Sequence, residues 1–143
     1  MAITQLSVFL ENVPGTLCKA VSAISGAGIN IRALSVADTR DFGIMRLIVP
    51  DVEAAKEVLS DYTAAETKVI AVKMEDRTGA LKEILQVLEK AGINIEYVYA
   101  FAAAVPNSAY VVLRVDDVEA AEAVLSQNNV PTLSDEDIAI LLP

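Results

Sequence analysis

Histidine is missing from this chain of 143 residues, and cysteine occurs once, at Cys18. Without histidine there is no imidazole to act as general base, to bind a metal or to activate a Ser or Cys nucleophile. Carboxylates and lysines remain, so the balance tilts away from an enzyme without closing that door. A single cysteine excludes an intramolecular disulfide, and no CxxC pair or ligand cluster offers a metal site. On a predicted helix, Cys18 reads as a small hydrophobe. Basic residues are also scarce: 11 against 20 acidic ones, a formal charge of −9. No basic stripe exists to neutralise phosphates, which argues against nucleic-acid binding. Glycine-rich phosphate motifs and an acid–base pair of carboxylates are lacking too. No apolar run approaches the roughly 18 residues of a membrane span. "MAITQLSVFLENVPG" has neither a basic n-region nor a cleavage site, so a cytoplasmic protein with no membrane partner is expected.

What the chain does contain is a repeat. "ENVPGTLCKAVSAISGAGINI" (Glu11–Ile31) lies over "EDRTGALKEILQVLEKAGINI" (Glu75–Ile95) with eight identities in 21 positions. After a two-residue slip, "LIVPDVEAAKEVLS" (Leu47–Ser60) lies over "LRVDDVEAAEAVLS" (Leu113–Ser126). Two blocks in the same order mean duplication of a whole unit, and the division expected is 1–67 and 68–143.

Each unit alternates between strand and helix periodicity. Leu6, Val8 and Leu10, matched by Ile70, Val72 and Met74, mark one face of a strand. Pro14–Gly15 and Thr78–Gly79 then open a helix with an apolar stripe of Leu17, Val21 and Ile24, or Leu81, Leu85 and Leu88. Gly28 and Gly92 fall where a helix end needs a left-handed residue. "INIEYVYAF" predicts a strand with Ile93, Ile95, Tyr97, Tyr99 and Phe101 on one face. Ile44–Val49 and Tyr110–Val115 read as third strands. A second helix follows Asp51 or Asp117 as N-cap. Its buried stripe is Val52, Ala55, Val58 and Leu59, or Val118, Ala121, Val124 and Leu125. The carboxylates of "DVEAA" face solvent.

The resulting order is the ferredoxin-like split βαβ unit, an antiparallel sheet with two helices on one face. One long or kinked strand near Ala64–Met74 must close the first unit and open the second. Val130–Ser134 is the expected last strand, and "SDEDIAILL" is either a capped helical turn or its extension.

Chemistry points to the strand–helix corners and to the residues after the first helix. Asn12 and Asn30, like Asp76 and Asn94, are 18 residues apart, and the fold is expected to bring each pair to one end of the sheet. A helix N-terminus suits a carboxylate, and an Asn amide reads an α-amino or α-carboxylate group. Gly15 and Gly79 would let a ligand approach the backbone. The same residues are also ordinary turn chemistry; their recurrence in two copies favours a small amino-acid site.

These two segments resemble the signature of ACT domains, small regulatory modules of amino-acid metabolism. The form is an acidic or amide corner, Gly-x-Leu, an amphipathic helix and Gly-Ile-Asn-Ile, in two tandem copies over nearly the whole chain. The resemblance implies an α+β fold of two ferredoxin-like βαββαβ units with antiparallel sheets joined side by side. It implies amino-acid ligands bound between units, at the corner of one and the start of the second strand of another. Carried over, the first set is Asn12, Val13, Pro14, Gly15, Thr16 and Leu17 with Asn30 and Ile31. The second is Asp76, Arg77, Thr78, Gly79, Ala80 and Leu81 with Asn94 and Ile95. Asp76–Arg77–Thr78 replaces Asn12–Val13–Pro14, so the two sites need not share a ligand.

The expectation is a regulatory protein with no catalysis and no cofactor, binding an amino acid with a branched-chain or aromatic side chain. Binding would favour one packing of the units over another, read by a partner enzyme or regulator. The apolar content of 54% suits a sheet face or edge covered by a second copy, hence a homodimer. The alternatives are a regulatory subunit or repressor working through protein contacts alone, and a small ferredoxin-like hydrolase using Arg77 and Asn94.

Overall fold

The computed structural model describes residues 2–38 and 40–143. Unit one runs β1 (Ile3–Glu11), α1 (Thr16–Gly26), β2 (Ala33–Asp38), β3 (Phe42–Ile48) and α2 (Val52–Val58). Next comes β4 (Ala64–Glu75), then α3 (Ala80–Lys90), β5 (Ile95–Ala100), β6 (Ser108–Val115) and α4 (Val118–Gln127). The chain closes with β7 (Thr132–Leu133) and α5 (Asp135–Leu141). The strands lie in the order β2-β3-β1-β4-β6-β5, all antiparallel, with β7 beside β4.

One strand does serve both units. The first half of β4 pairs with β1, from Val8↔Ala64 to Ile3↔Val69, and its second half pairs with β6, from Ile70↔Leu113 to Glu75↔Ser108. The expected division at residues 67 and 68 falls inside this unbroken strand.

The helices form where the alternating faces dictate. Leu6, Val8 and Leu10 of β1, with Met45 and Leu47 of β3, pack against Ala20 and Ile24 of α1 and Ala55 and Leu59 of the α2 segment. Unit two repeats this with Ile70, Val72, Val111 and Leu113 against Ile84, Leu88, Ala121 and Leu125. Each fully buried Leu or Ile contributes about 1.5–3 kcal/mol. Asp51 and Asp117 cap α2 and α4, accepting from the amides of Ala54 and Ala120 at 3.0 Å each. Gly28 and Gly92 adopt φ 72, the left-handed exit foreseen for them. Leu17 departs from the predicted stripe and stays 40% exposed.

A third core joins the helix-free faces. Ile3, Ala33 and Ile48 of unit one meet Val69, Ala71, Tyr110 and Val112, sealed by Leu133, Ile138 and Leu142. The sheet curls until its ends touch: Ala33 bridges Phe101, and Ala102 N donates to Arg32 O at 2.7 Å. Much of the second sheet face is thus covered within the chain, which removes it as the reason for a homodimer.

Two further expectations are corrected. Ile93, Ile95, Tyr97, Tyr99 and Phe101 do not share a face. A register shift between Ile95 and Tyr97 leaves Ile93 and Ile95 in the helix-side core and sends Tyr99 and Phe101 to the inner one; a bulge inverts the alternation in this way. The last strand is only Thr132–Leu133, because Ser134 starts α5 with a capping box, its hydroxyl accepting from Asp137 N at 3.1 Å. The Asp137 carboxylate accepts from Ser134 N at 2.8 Å, which holds its pKa below the ordinary value.

Candidate functional site

The sixteen residues singled out from the sequence fall into four places. Asn12, Val13, Pro14, Gly15, Thr16 and Leu17 form the β1–α1 corner, where Asn12 N donates to Asp41 O at 3.2 Å. Asp76, Arg77, Thr78, Gly79, Ala80 and Leu81 form the β4–α3 corner, where Asp76 N donates to Asn107 O at 3.1 Å. Asn30 and Ile31 precede β2, and Asn94 and Ile95 stand at the start of β5.

Within a unit the corner and its later Asn lie at opposite ends of the sheet, contrary to expectation. β1 and β2 are not neighbours: both pair antiparallel to β3 and so run the same way. Helix α1 carries the chain from the end of β1 back to the start of β2, separating Asn12 from Asn30. Unit two does the same with Asp76 and Asn94. Asn30 instead donates its amide to Pro143 O at 2.9 Å. The Asn94 backbone exchanges bonds with Asp116, its N–H donating to Oδ1 and its carbonyl accepting from Asp116 N, both at 3.1 Å. Among the described residues no hydrogen bond joins either corner to Asn30 or Asn94.

The corner glycines have a backbone reason to be there. Gly15 and Gly79 hold the N-cap positions at φ 88, a left-handed conformation that a Cβ penalises. Neither helix has a side-chain cap, which leaves first-turn N–H groups open at both corners.

The two corners differ in what surrounds them. At corner one a cleft of about 650 Å³ is lined by Glu11, Pro14, Gly15, Thr16, Lys19 and Ala23 with Val58, Asp61 and Tyr62. At corner two, Arg77 bridges two carboxylates: Nε donates to Glu75 at 2.8 Å, and the terminal nitrogens clasp Glu83 at 3.1 and 2.5 Å. Hydrogen bonds from Arg77 hold the Glu83 pKa below its usual value. Arg77 lies at the opposite end of α3 from Asn94, so these two residues do not come together as the anion cradle of a hydrolase. Lys19, Glu11, Asp61 and Tyr62 escaped sequence reasoning; their approach depends on the α2–β4 turn folding back over α1.

A second cluster sits between the sheets. Gln5, fully buried, donates its amide to Tyr97 Oη at 2.9 Å and Ser7 Oγ at 3.1 Å, and accepts from Tyr99 Oη at 2.6 Å. The Arg46 guanidinium covers the Tyr97 ring at 4.0 Å. Burial, and then the neighbouring Tyr97, push the Tyr99 pKa up. Through Gln5, Tyr97 and Tyr99 tie the two units together.

The chain belongs to the ACT domain pair family, whose model matches residues 1–142, a family of regulatory domains. A crystal structure of a Bacteroides thetaiotaomicron protein is similar over 98% of this chain and 97% of its own, with 34% identity and a TM-score of 0.90. The ligand-free regulatory subunit of aspartate kinase from Thermus thermophilus shares the fold, with 18% identity over 87% of this chain and 90% of that one, TM-score 0.57. No curated protein sequence matches. Among the described residues no helix is long and apolar enough to cross a membrane.

Proposed function

We propose that the chain is a non-catalytic regulator that binds a small amino acid between ACT units and passes the event to a partner enzyme or regulator through changed packing. The supporting observation is the outer edge of β2. Beyond the Ala33–Phe101 bridge, no strand among the described residues pairs with the outer side of residues 34–38, whose inner side pairs with β3. They carry no charge before Asp38, no proline and no bulge, and Leu34 and Val36 are 39% and 48% exposed. Natural edges are normally protected by such features. The β5 edge has a bulge and Glu96 paired to Arg114 at 3.1 Å.

A second copy added antiparallel along β2 makes a self-complementary, two-fold interface. It sets the start of one β2 beside the end of the other, so that Asn30 and Ile31 of one chain approach Asn12–Leu17 of its partner. The elements that a single chain separates would then meet, with exposed Val13 and Leu17 at the junction. The Asn30 amide and the open N–H groups of α1 suit the α-carboxylate and α-ammonium of an amino acid. The apolar surroundings favour a branched-chain or aromatic side chain. A cytoplasmic homodimer is the species proposed.

Thermal unfolding against each of the twenty amino acids at millimolar concentration tests this. A ligand at about 100 times its Kd adds roughly 2.7 kcal/mol, a rise of roughly 5–12 °C for a chain this size. The shift should belong to one chemical class, fall away in Asn30→Ala, and be lost with the dimer in Val36→Lys. No shift with any amino acid would sink the proposal. The second reading, regulation through protein contacts without a ligand, draws on Phe9 and Phe42, 44% and 56% exposed on the helix-free face.

A further inference from the structure

The tandem repeat supplies its own control, because the two asparagines ahead of β2 and β5 are held in different ways. Aligning Asp51 with Asp117 sets Pro50 opposite Asp116. In unit two the Asp116 carboxylate and N–H both bond the Asn94 backbone at 3.1 Å. Proline has neither group, so unit one cannot make that latch. Asn30 is held from elsewhere: its side-chain amide donates to the Pro143 carbonyl at 2.9 Å. Helix α5 brings Pro143 there and is tied down along its length. Asp135 accepts from Thr4 N at 2.9 Å and from the Thr4 hydroxyl at 3.3 Å. Ile138 and Leu142 are buried in the inner core, and Asp135 and Ala139 share a cleft with Pro50 and Asp51.

We infer that Leu142–Pro143 is a built-in competitor for Asn30, the Pro143 carbonyl holding the amide that the carboxylate of an effector would take. The inference rests on the amino-acid reading above and adds an autoinhibitory contact to it. Pro143 takes one hydrogen of the Asn30 amide and fills the space on that side of it. Asn30 is then open to a ligand only in the fraction of chains that Pro143 has left, and the apparent affinity is lowered by that fraction. Pro143 is exposed whereas Leu142 is buried, so the contact can break without opening the inner core. Unit two has no such competitor: among the described residues no hydrogen bond reaches the Asn94 side chain.

Isothermal titration calorimetry with each of the twenty L-amino acids, on the full chain and on a chain lacking Pro143, reads the competition. The shortened chain should bind about two- to tenfold more tightly, the worth of one ordinary hydrogen bond no longer in the way. Asp135→Ala frees the start of α5 from Thr4 while leaving Pro143 present, and it should tighten binding in the same direction. Asp135 is exposed, so this variant disturbs no core. Without ligand, the side-chain amide signal of Asn30 in a nitrogen-resolved NMR spectrum should move when Pro143 is removed, while that of Asn94 stays. If neither variant binds more tightly, or if the Asn30 signal does not move, this inference is overturned and the amino-acid reading stands. Absence of binding by the full chain and both variants, for all twenty, would overturn both.

Discussion

Replacing Gln5 with leucine should loosen the two units from each other. Gln5 is fully buried on β1, and its amide meets Tyr97 and Tyr99 of β5 at 2.9 and 2.6 Å. Leucine keeps the volume and removes every polar partner. Each tyrosine hydroxyl must then find water or remain unpaired, at about 1–3 kcal/mol for a buried group. Tyr99 packs against the inner core; Tyr97 keeps the stacked Arg46. A loss of about 2–4 kcal/mol follows, a fall in Tm of roughly 5–15 °C. Urea unfolding followed by far-UV dichroism and by tyrosine fluorescence measures it. The parent should unfold in one transition by both probes. A double-mutant cycle with Tyr99→Phe should recover at least about 1 kcal/mol, because the hydroxyl left unpaired in Gln5→Leu is then gone. A loss below about 0.5 kcal/mol, or strict additivity in the cycle, would refute the tie.

Two further outcomes follow from single residues. The raised folded pKa of Tyr99 means that the native state holds this proton more tightly than the unfolded chain, whose tyrosines titrate near about 10. Its contribution is complete below that value and drains away as the pH rises toward the folded pKa, so the urea midpoint should fall as the pH rises above about 10, with a shallower fall in Tyr99→Phe. Gly15→Ala and Gly79→Ala should each cost about 1–2 kcal/mol of stability without any ligand present, because both place a Cβ at φ 88; equal stability to the parent would show that the left-handed turn is not what these glycines supply.

Most of the fold was legible because the duplicated sequence could be read twice. Leu6, Val8 and Leu10 repeat as Ile70, Val72 and Met74, and Asp51 and Asp117 cap their helices as local chemistry requires. Even the doubled strand was forced by counting, since 14 residues had to hold two strand roles. Periodicity failed where one residue changed parity. Nothing in "INIEYVYAF" marks the bulge beside Glu96, because a bulge answers to the register of β6, which is distant in sequence. The same limit hid the candidate site. Asn12 and Asn30 are close in sequence, and only the order β2-β3-β1 reveals that they lie at opposite sheet ends. Lys19 and Asp61 line one cleft through a turn that joins distant segments, and no spacing rule connects them. The Arg77–Glu83 clasp is local to one corner, yet in the sequence Arg77 read only as part of a ligand site or a hydrolase cradle, and the pairing was not foreseen.

The internal ties constrain how any effector could act. A ligand shifts an equilibrium only by its different affinity for two states. Rearranging the units of one chain, the packing change expected from the sequence, requires bending the unbroken β4, parting Ala33 from Phe101, and exposing the inner core of Ile3, Ile48, Val112 and Ile138. Burial of those four side chains alone amounts to about 6–12 kcal/mol. A typical allosteric coupling is about 1–3 kcal/mol. The coupling is too small to open the chain, whereas the β2 edge carries only Leu34, Val36 and a short run of backbone groups to be uncovered. On the proposed function, the two states that an amino acid selects between are therefore two states of association between chains. Ligand affinity should then rise with protein concentration in a way that rearrangement within one chain would not produce.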